Sequence, residues 1–264
     1  MQPRNGARQD TLHEPARKPL YLLEGPREVT ARDTSLAVRN GPQVTNLPLS
    51  RLDRILSGLQ VTWSGEALRA CLGFGIPITW VDGSGHPLGT LNPPPACAGT
   101  MADAIQRYLD RPEWTESYIH WLKHRRMDVL QSWRNALSRR GHPPPARILE
   151  SIKRDFVYAD HIPNHFPDES LGWCYGVVEQ RLNKEGLQPY YWGYGGAPLP
   201  LAEDIARLLW AELNLHCGTL PGQVQTLAEA LVFFENWVQK NAARVHHHLG
   251  DLKRHIRTEV SGCR

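Results

Sequence analysis

Long apolar runs, paired cysteines and low-complexity tracts are all missing from this 264-residue chain, and each absence removes a class of protein. No apolar stretch approaches the roughly 18 residues that a membrane span requires, which excludes a helical membrane protein. The first 19 residues carry Arg4, Arg8, Asp10, Glu14, Arg17 and Lys18 with no apolar core, so they read as a flexible start rather than a secretory leader. A cytoplasmic protein with no membrane partner is expected. The five cysteines, Cys71, Cys97, Cys174, Cys217 and Cys263, are odd in number and widely spaced, with no Cys-x-x-Cys pair and no histidine at zinc spacing. They read as reduced thiols. No internal repeat is found.

What is present is the composition of a folded globular protein: 41% hydrophobic, 22% charged, with nine tryptophans. The length suits one large domain or two small ones, with ample chain for a core. A net charge of +3 conceals a polarity. Residues 161–240 hold nine acidic against four basic side chains, whereas residues 123–154 hold nine basic against two acidic. The basic members are Lys123, Arg125, Arg126, Arg134, Arg139, Arg140, Arg147, Lys153 and Arg154. Such an excess reads either as a solvated helix face or as a surface for anions.

Between Leu20 and Leu91 apolar residues recur in short alternating runs broken by turn chemistry, the period of strands. Ser35–Arg39, the dipeptide Asn40-Gly41 and Gln43–Leu47 read as a hairpin on a type I′ turn. Ser50 is placed to cap a short helix over Arg51–Leu56, and Ser64 to cap a second that ends at Gly73 and Gly75. Ile76–Val81 and Pro87–Leu91 are strands about an Asp82–Gly85 turn. Asn92-Pro93-Pro94-Pro95 continues neither a ladder nor a helix, because proline lacks the backbone donor. Beyond it Trp114, Tyr118, Trp121, Leu122, Val129, Leu130, Trp133 and Leu137 recur at helical spacing, marking one amphipathic helix of about 25 residues. Residues 146–158, 170–185, 200–216 and 223–257 are further helices.

The expected fold is therefore α+β. Residues 1–19 form a flexible start, 20–91 a mostly-β domain with a hairpin and a sandwich-like build, 92–99 a proline linker, and 100–264 a larger all-α domain.

Two clusters have chemical potential. Pro189-Tyr190-Tyr191-Trp192-Gly193-Tyr194-Gly195-Gly196 offers four aromatics that either pack between helices or stack on a base. His248, Asp251 and His255 share one helical face beside His246 and His247, which would let them clasp a metal, or lie on a solvated basic tail.

The order of features resembles the CRISPR spacer-acquisition integrases. Leu47-Pro48-Leu49-Ser50-Arg51-Leu52, Ala67-Leu68 through Gly75-Ile76-Pro77-Ile78, Gln106-Arg107-Tyr108, Ile119–Gln131 and Pro167-Asp168 through Tyr175 resemble, in this order, stretches of that family's sequence. So do Gly186-Leu187-Gln188-Pro189 and Leu199–Ala206. The resemblance implies a homodimeric, Mg²⁺- or Mn²⁺-dependent nuclease and integrase acting on double-stranded DNA with a small ferredoxin-like partner. A Glu, a His and an Asp on successive elements would hold the cation, hard anionic oxygens being what such a metal takes.

Carried onto this chain, the implied aspartate is Asp204, and Glu150 is the carboxylate placed for the glutamate. The implied histidine is missing: Gly193-Tyr194-Gly195-Gly196 stands in its place and the next histidine is His216. A second family carboxylate falls at Arg207, whose fixed charge opposes a cation. Lys123, Arg125, Arg126, Arg134, Arg139 and Arg140 become the implied DNA contacts. Three readings stand: a DNA-holding structural or regulatory subunit with impaired catalysis, an active enzyme with an unorthodox site built on Asp204 and Glu150, and a protein-interaction module without nucleic acid. The first two would work as a homodimer or with a related integrase.

Overall fold

The computed structural model describes residues 17–94, 100–161, 165–187, 199–217 and 226–261. Strands and one short helix come first: β1 (Lys18–Leu22), β2 (Arg27–Arg32), β3 (Ser35–Asn40), β4 (Gln43–Pro48), β5 (Leu52–Gly58), β6 (Val61–Trp63), α1 (Gly65–Gly73), β7 (Ile78–Val81) and β8 (Pro87–Leu91). Helices follow: α2 (Thr100–Leu109), α3 (Trp114–Arg139), α4 (Ala146–Ile152) with a π-helical continuation over Lys153–Tyr158, α5 (Ser170–Lys184), α6 (Leu201–Cys217) and α7 (Leu227–Ser261). The fold is α+β.

The strands form two four-stranded sheets, ordered β1-β5-β7-β8 and β4-β3-β2-β6. The β3–β4 hairpin is present, with Asn40 paired to Gln43, so Gly41 and Pro42 are its two central residues. Gly41 alone carries a positive φ, +57°, which is the pattern of a type II′ turn and corrects the expected I′ turn. Proline at the second position fits, because its ring holds φ negative.

Residues 51–56 are not a helix. After a single 3₁₀ turn over Leu49–Arg51 the chain enters β5, which pairs in parallel with β1 on one side and β7 on the other. Leu52, Ile55 and Leu56 stand at i, i+3 and i+4, so the local period favours a helix, and parallel pairing on both sides overrides it. Successive residues of β5 serve opposite faces: Ile55 joins a cluster with Val29, Leu36, Ala67 and Ile76, whereas Leu56 joins Trp173, Leu208 and Phe234 in the helical half. Lys18 and Pro19 are likewise strand rather than flexible start.

Helix α5 lies on this sheet because glycine lets it approach. A Cβ at Gly172 would stand 2.1 Å from the Gly85 carbonyl oxygen, and one at Gly176 would stand 3.1 Å from Leu56. Ser64 caps α1 as its sequence predicts, accepting from the Ala67 amide at 3.1 Å. Helix α3 runs 26 residues, as its period predicts. Cys71, Cys174 and Cys217 are free thiols; Cys97 and Cys263 lie outside the described residues. Among the described residues no helix is long and apolar enough to cross a membrane.

Candidate functional site

Helix α6 presents a buried apolar stripe, with Leu201, Ile205, Leu208 and Leu209 facing the core. Asp204 stands in its first turn, half-buried at the edge of that stripe. The buried Tyr118 of α3 donates its hydroxyl to Asp204 at 2.9 Å. Burial pushes the Asp204 carboxyl up to about 6, against the pull of that hydrogen bond. One turn along α6, Arg207 approaches Asp160 at 2.9 Å, and its Nη2 donates to the Asp160 carbonyl at 3.2 Å. Asp160 also takes Arg126 of α3 at 2.8 Å, and it adopts a left-handed backbone, φ +56°. Aspartate is among the few residues that enter this region with ease. Two guanidiniums thus hold Asp160 beside Asp204.

Among the described residues, the side chains around Asp204 do not make up a donor set for a divalent cation. Arg207 occupies the i+3 position from Asp204, on the same helix face, with a charge that cannot be removed. Glu150 is 70% exposed and reaches Lys153 at 3.8 Å. His216 lies twelve residues further along α6, about 18 Å along the axis, against the Phe233 ring. Among the described residues no three His, Cys, Asp or Glu side chains converge as metal ligands. The aromatic segment Pro189–Gly196, where the expected histidine is missing, lies outside the described residues.

The basic run divides into two groups. Arg125 is buried, and its guanidinium pairs with Asp251 at 3.0 Å and Asp128 at 2.5 Å while meeting His247 at 3.2 Å. Arg126 is spent on Asp160. These two are not outward-facing contacts, because the opposite charges they meet come from α7 and from the end of the π-helical turn. Lys123, Arg134, Arg139, Arg140 and Arg147 are exposed, and among the described residues none of them enters an ion pair. Lys123 and Arg134, eleven residues apart, return to nearly the same face of α3 about 16 Å along its axis.

The histidine cluster is divided: His246 and His247 are exposed, whereas His248 and His255 are packed into the fold. Residues 227–261 form one long helix with a break at Asn241, and its second half buries Val245, Leu249, Leu252 and Ile256. His248 is 2% exposed and meets Glu212 at 3.2 Å. His255 packs against the rings of Tyr108 and Trp121 and lies 3.2 Å from the Ser117 hydroxyl. Asp251 accepts from the Trp121 indole at 3.2 Å.

Four polar arrangements are illegible in the sequence. Tyr118 reads there as one more apolar position of α3, and Asp160 belongs to no pattern. At the seam between sheet and helices, Glu179 of α5 is 1% exposed and accepts from Thr79 at 2.7 Å and Asn92 at 2.8 Å. Burial without a cation pushes its carboxyl up to about 7. Buried Arg54 of β5 is likewise invisible; it pairs with Glu235 of α7 at 2.6 Å.

The family model described as CRISPR associated protein Cas1 matches residues 20–155, a little over half of the chain. Among solved structures, a Cas1 protein from Thermotoga maritima superposes with TM-score 0.62 at 14% identity, over 90% of this chain and 97% of that one. TtCas1 in complex with DNA gives TM-score 0.61 at 14% identity, over 91% and 92%. A casposase bound to its integration product gives 0.55 at 13% identity, over 93% and 82%. At these identities the likeness is one of fold. The sequence finds no match among the curated proteins.

Proposed function

Because this chain belongs to the CRISPR associated protein Cas1 family, its work lies in CRISPR adaptation, and we propose that it serves there as an integrase-like subunit that holds duplex DNA while its own metal-dependent catalysis is impaired. The observation that carries the reading is the charge arrangement at Asp204. Phosphoryl transfer at a divalent cation needs anionic ligands that remain charged and free to bind it. Here Asp204 already accepts from Tyr118, while Arg207 puts a permanent positive charge one turn away. Both carboxylates of this face are thus committed, Asp204 to Tyr118 and Asp160 to two guanidiniums, rather than free to bind a cation.

DNA holding rests on the exposed cations Lys123, Arg134, Arg139, Arg140 and Arg147. Arginine forks match phosphate oxygens two at a time. TtCas1, of the same fold, has been solved with DNA. A homodimer, or a heterodimer with a related integrase, together with the small ferredoxin-like adaptation protein, belongs to the same reading.

The test joins two measurements on the full chain. A strand-transfer and nuclease assay with short duplexes and a supercoiled repeat-bearing plasmid, in Mg²⁺ or Mn²⁺, should show no activity, alongside tight DNA binding that weakens steeply with salt, by about 0.9 log units of affinity per log unit of salt for each phosphate contact. Mn²⁺ should also leave the thermal midpoint where chelator leaves it. Activity that vanishes in Asp204→Ala would refute impaired catalysis, and absence of DNA binding would refute the holding role.

A further inference from the structure

Apart from the exposed cations of α3 and the loop after it, one concave region gathers cations that no carboxylate pairs. It lies at the seam where the start of β1 and the middle of β5 meet α5 and α7, and encloses a cleft of about 250 Å³. At its base sits Arg54, 4% exposed, its guanidinium fixed by Glu235 at 2.6 Å and by Asp53 at 3.4 Å. Tyr21 donates its hydroxyl to the same Glu235 carboxylate, so the base of the cleft is rigid. Arg54 Nε is buried without a hydrogen-bond partner.

Around this base stand Arg17 and Lys18 from the entry to β1, and Arg181 and Lys184 from one face of α5. Arg54, by contrast, already has its carboxylates. Among the described residues none of these four enters an ion pair, so five cations share the cleft with only the Asp53 and Glu235 carboxylates. The excess is felt: burial, together with Arg181, Arg17 and Arg54, pushes the Lys184 ammonium below its ordinary value despite the opposing pull of Asp53.

We propose that this cleft is a phosphate site. The chemistry of the lining selects an anion, and the Arg181 guanidinium, with Arg17, Lys18 and Lys184 around it, suits one with several oxygens. Size narrows it further. A cleft of 250 Å³ falls below the roughly 300–1,000 Å³ typical of sites for drug-sized ligands, so it takes a phosphate group and not a whole cofactor. The group is either a phosphate of bound nucleic acid, in which case the proposal rests on the DNA-holding reading, or a free phosphate, in which case it does not.

Titration of the full chain with inorganic phosphate, read by calorimetry and by thermal midpoint, keeps the two questions apart because no DNA is present. The wild type should bind and be stabilised. The double variant Arg181→Glu, Lys184→Glu, both positions at the cleft rim, should lose affinity by roughly tenfold to a hundredfold. Lys184→Gln alone, with its milder change, should lose part of it and guards against misfolding of the double variant. Reversal at Lys123 and Arg134 should leave phosphate binding unchanged. In a second arm, short duplexes with and without 5′-phosphates are compared at fixed salt. Weaker duplex binding by the double variant assigns the phosphate to nucleic acid; unchanged duplex binding with lost phosphate affinity assigns a free ion. No stabilisation of wild type by phosphate, or equal stabilisation of both variants, overturns the proposal.

Discussion

Glu179→Gln should make this protein more stable at neutral pH and remove a large part of its pH dependence. The wild-type carboxyl lies between α5 and the sheet, 1% exposed, with Thr79 and Asn92 donating to it and no cation among the causes of its shift. Its value rises from 4.5 to about 7, two and a half units. At about 1.4 kcal/mol per unit, that amounts to roughly 3 kcal/mol. The sign follows from the direction. A folded value above the unfolded one means that the fold prefers the protonated acid, so the contribution is complete below pH 4.5 and is lost as pH rises through about 7.

Glutamine keeps the shape and carries no charge. Its carbonyl can accept from Asn92, and the Thr79 hydroxyl can turn round to accept from its amide, so neither neighbour is left unsatisfied. Urea unfolding followed by tryptophan fluorescence at a series of pH values measures the effect. Asp204, raised to about 6, imposes a slope of the same sign, so the informative quantity is the gap between wild type and variant. That gap should widen by about 3 kcal/mol from pH 4.5 to pH 8. Parallel curves would refute the reasoning, since they would mean that the carboxyl titrates as it does in water.

Asp204→Asn should likewise stabilise the fold above pH 6 and leave it unchanged below pH 4, measured by the same unfolding series, because burial is the largest cause of its shift. Arg134→Glu should weaken duplex binding in a salt-dependent gel shift without altering the thermal midpoint, whereas Arg125→Ala should cost about 2 to 3 kcal/mol of stability by removing the buried guanidinium's charge-assisted contacts with Asp251 and Asp128. Equal stability of the two variants would show that Arg125 does not bear on the fold. Gly172→Ala should cost about 3 kcal/mol or more in urea unfolding, since its Cβ would stand 2.1 Å from the Gly85 carbonyl oxygen and force α5 off the sheet.

The elements that the sequence shows are those whose cause is local. The α3 stripe from Trp114 to Leu137 follows from residues three and four apart sharing a face, and the Ser64 cap follows from a hydroxyl three residues before an orphan amide. The hairpin around Gly41 was legible for the same reason, although its register, and so its turn type, depended on which residues paired across it. Arg51–Leu56 reads as a helix because Leu52, Ile55 and Leu56 fall at helical spacing, and only the parallel neighbours β1 and β7 make it a strand.

The candidate site divides along the same line. Composition and spacing determined that the chain carries a basic helix, an acidic residue at position 204, no histidine at the implied position and an arginine at 207. Which cations face solvent was a matter of tertiary structure. Arg125 and Arg134 have the same side chain on the same helix, yet one is held by Asp251 of α7 and the other stands in solvent. Only the fold brought Asp160 between Arg126 and Arg207, placed Tyr118 on Asp204 and sealed Glu179 at the seam. Helix periods and caps are written in residues a few positions apart, whereas the charge state and partner of a buried group are set by what distant segments bring against it and by how much water they exclude.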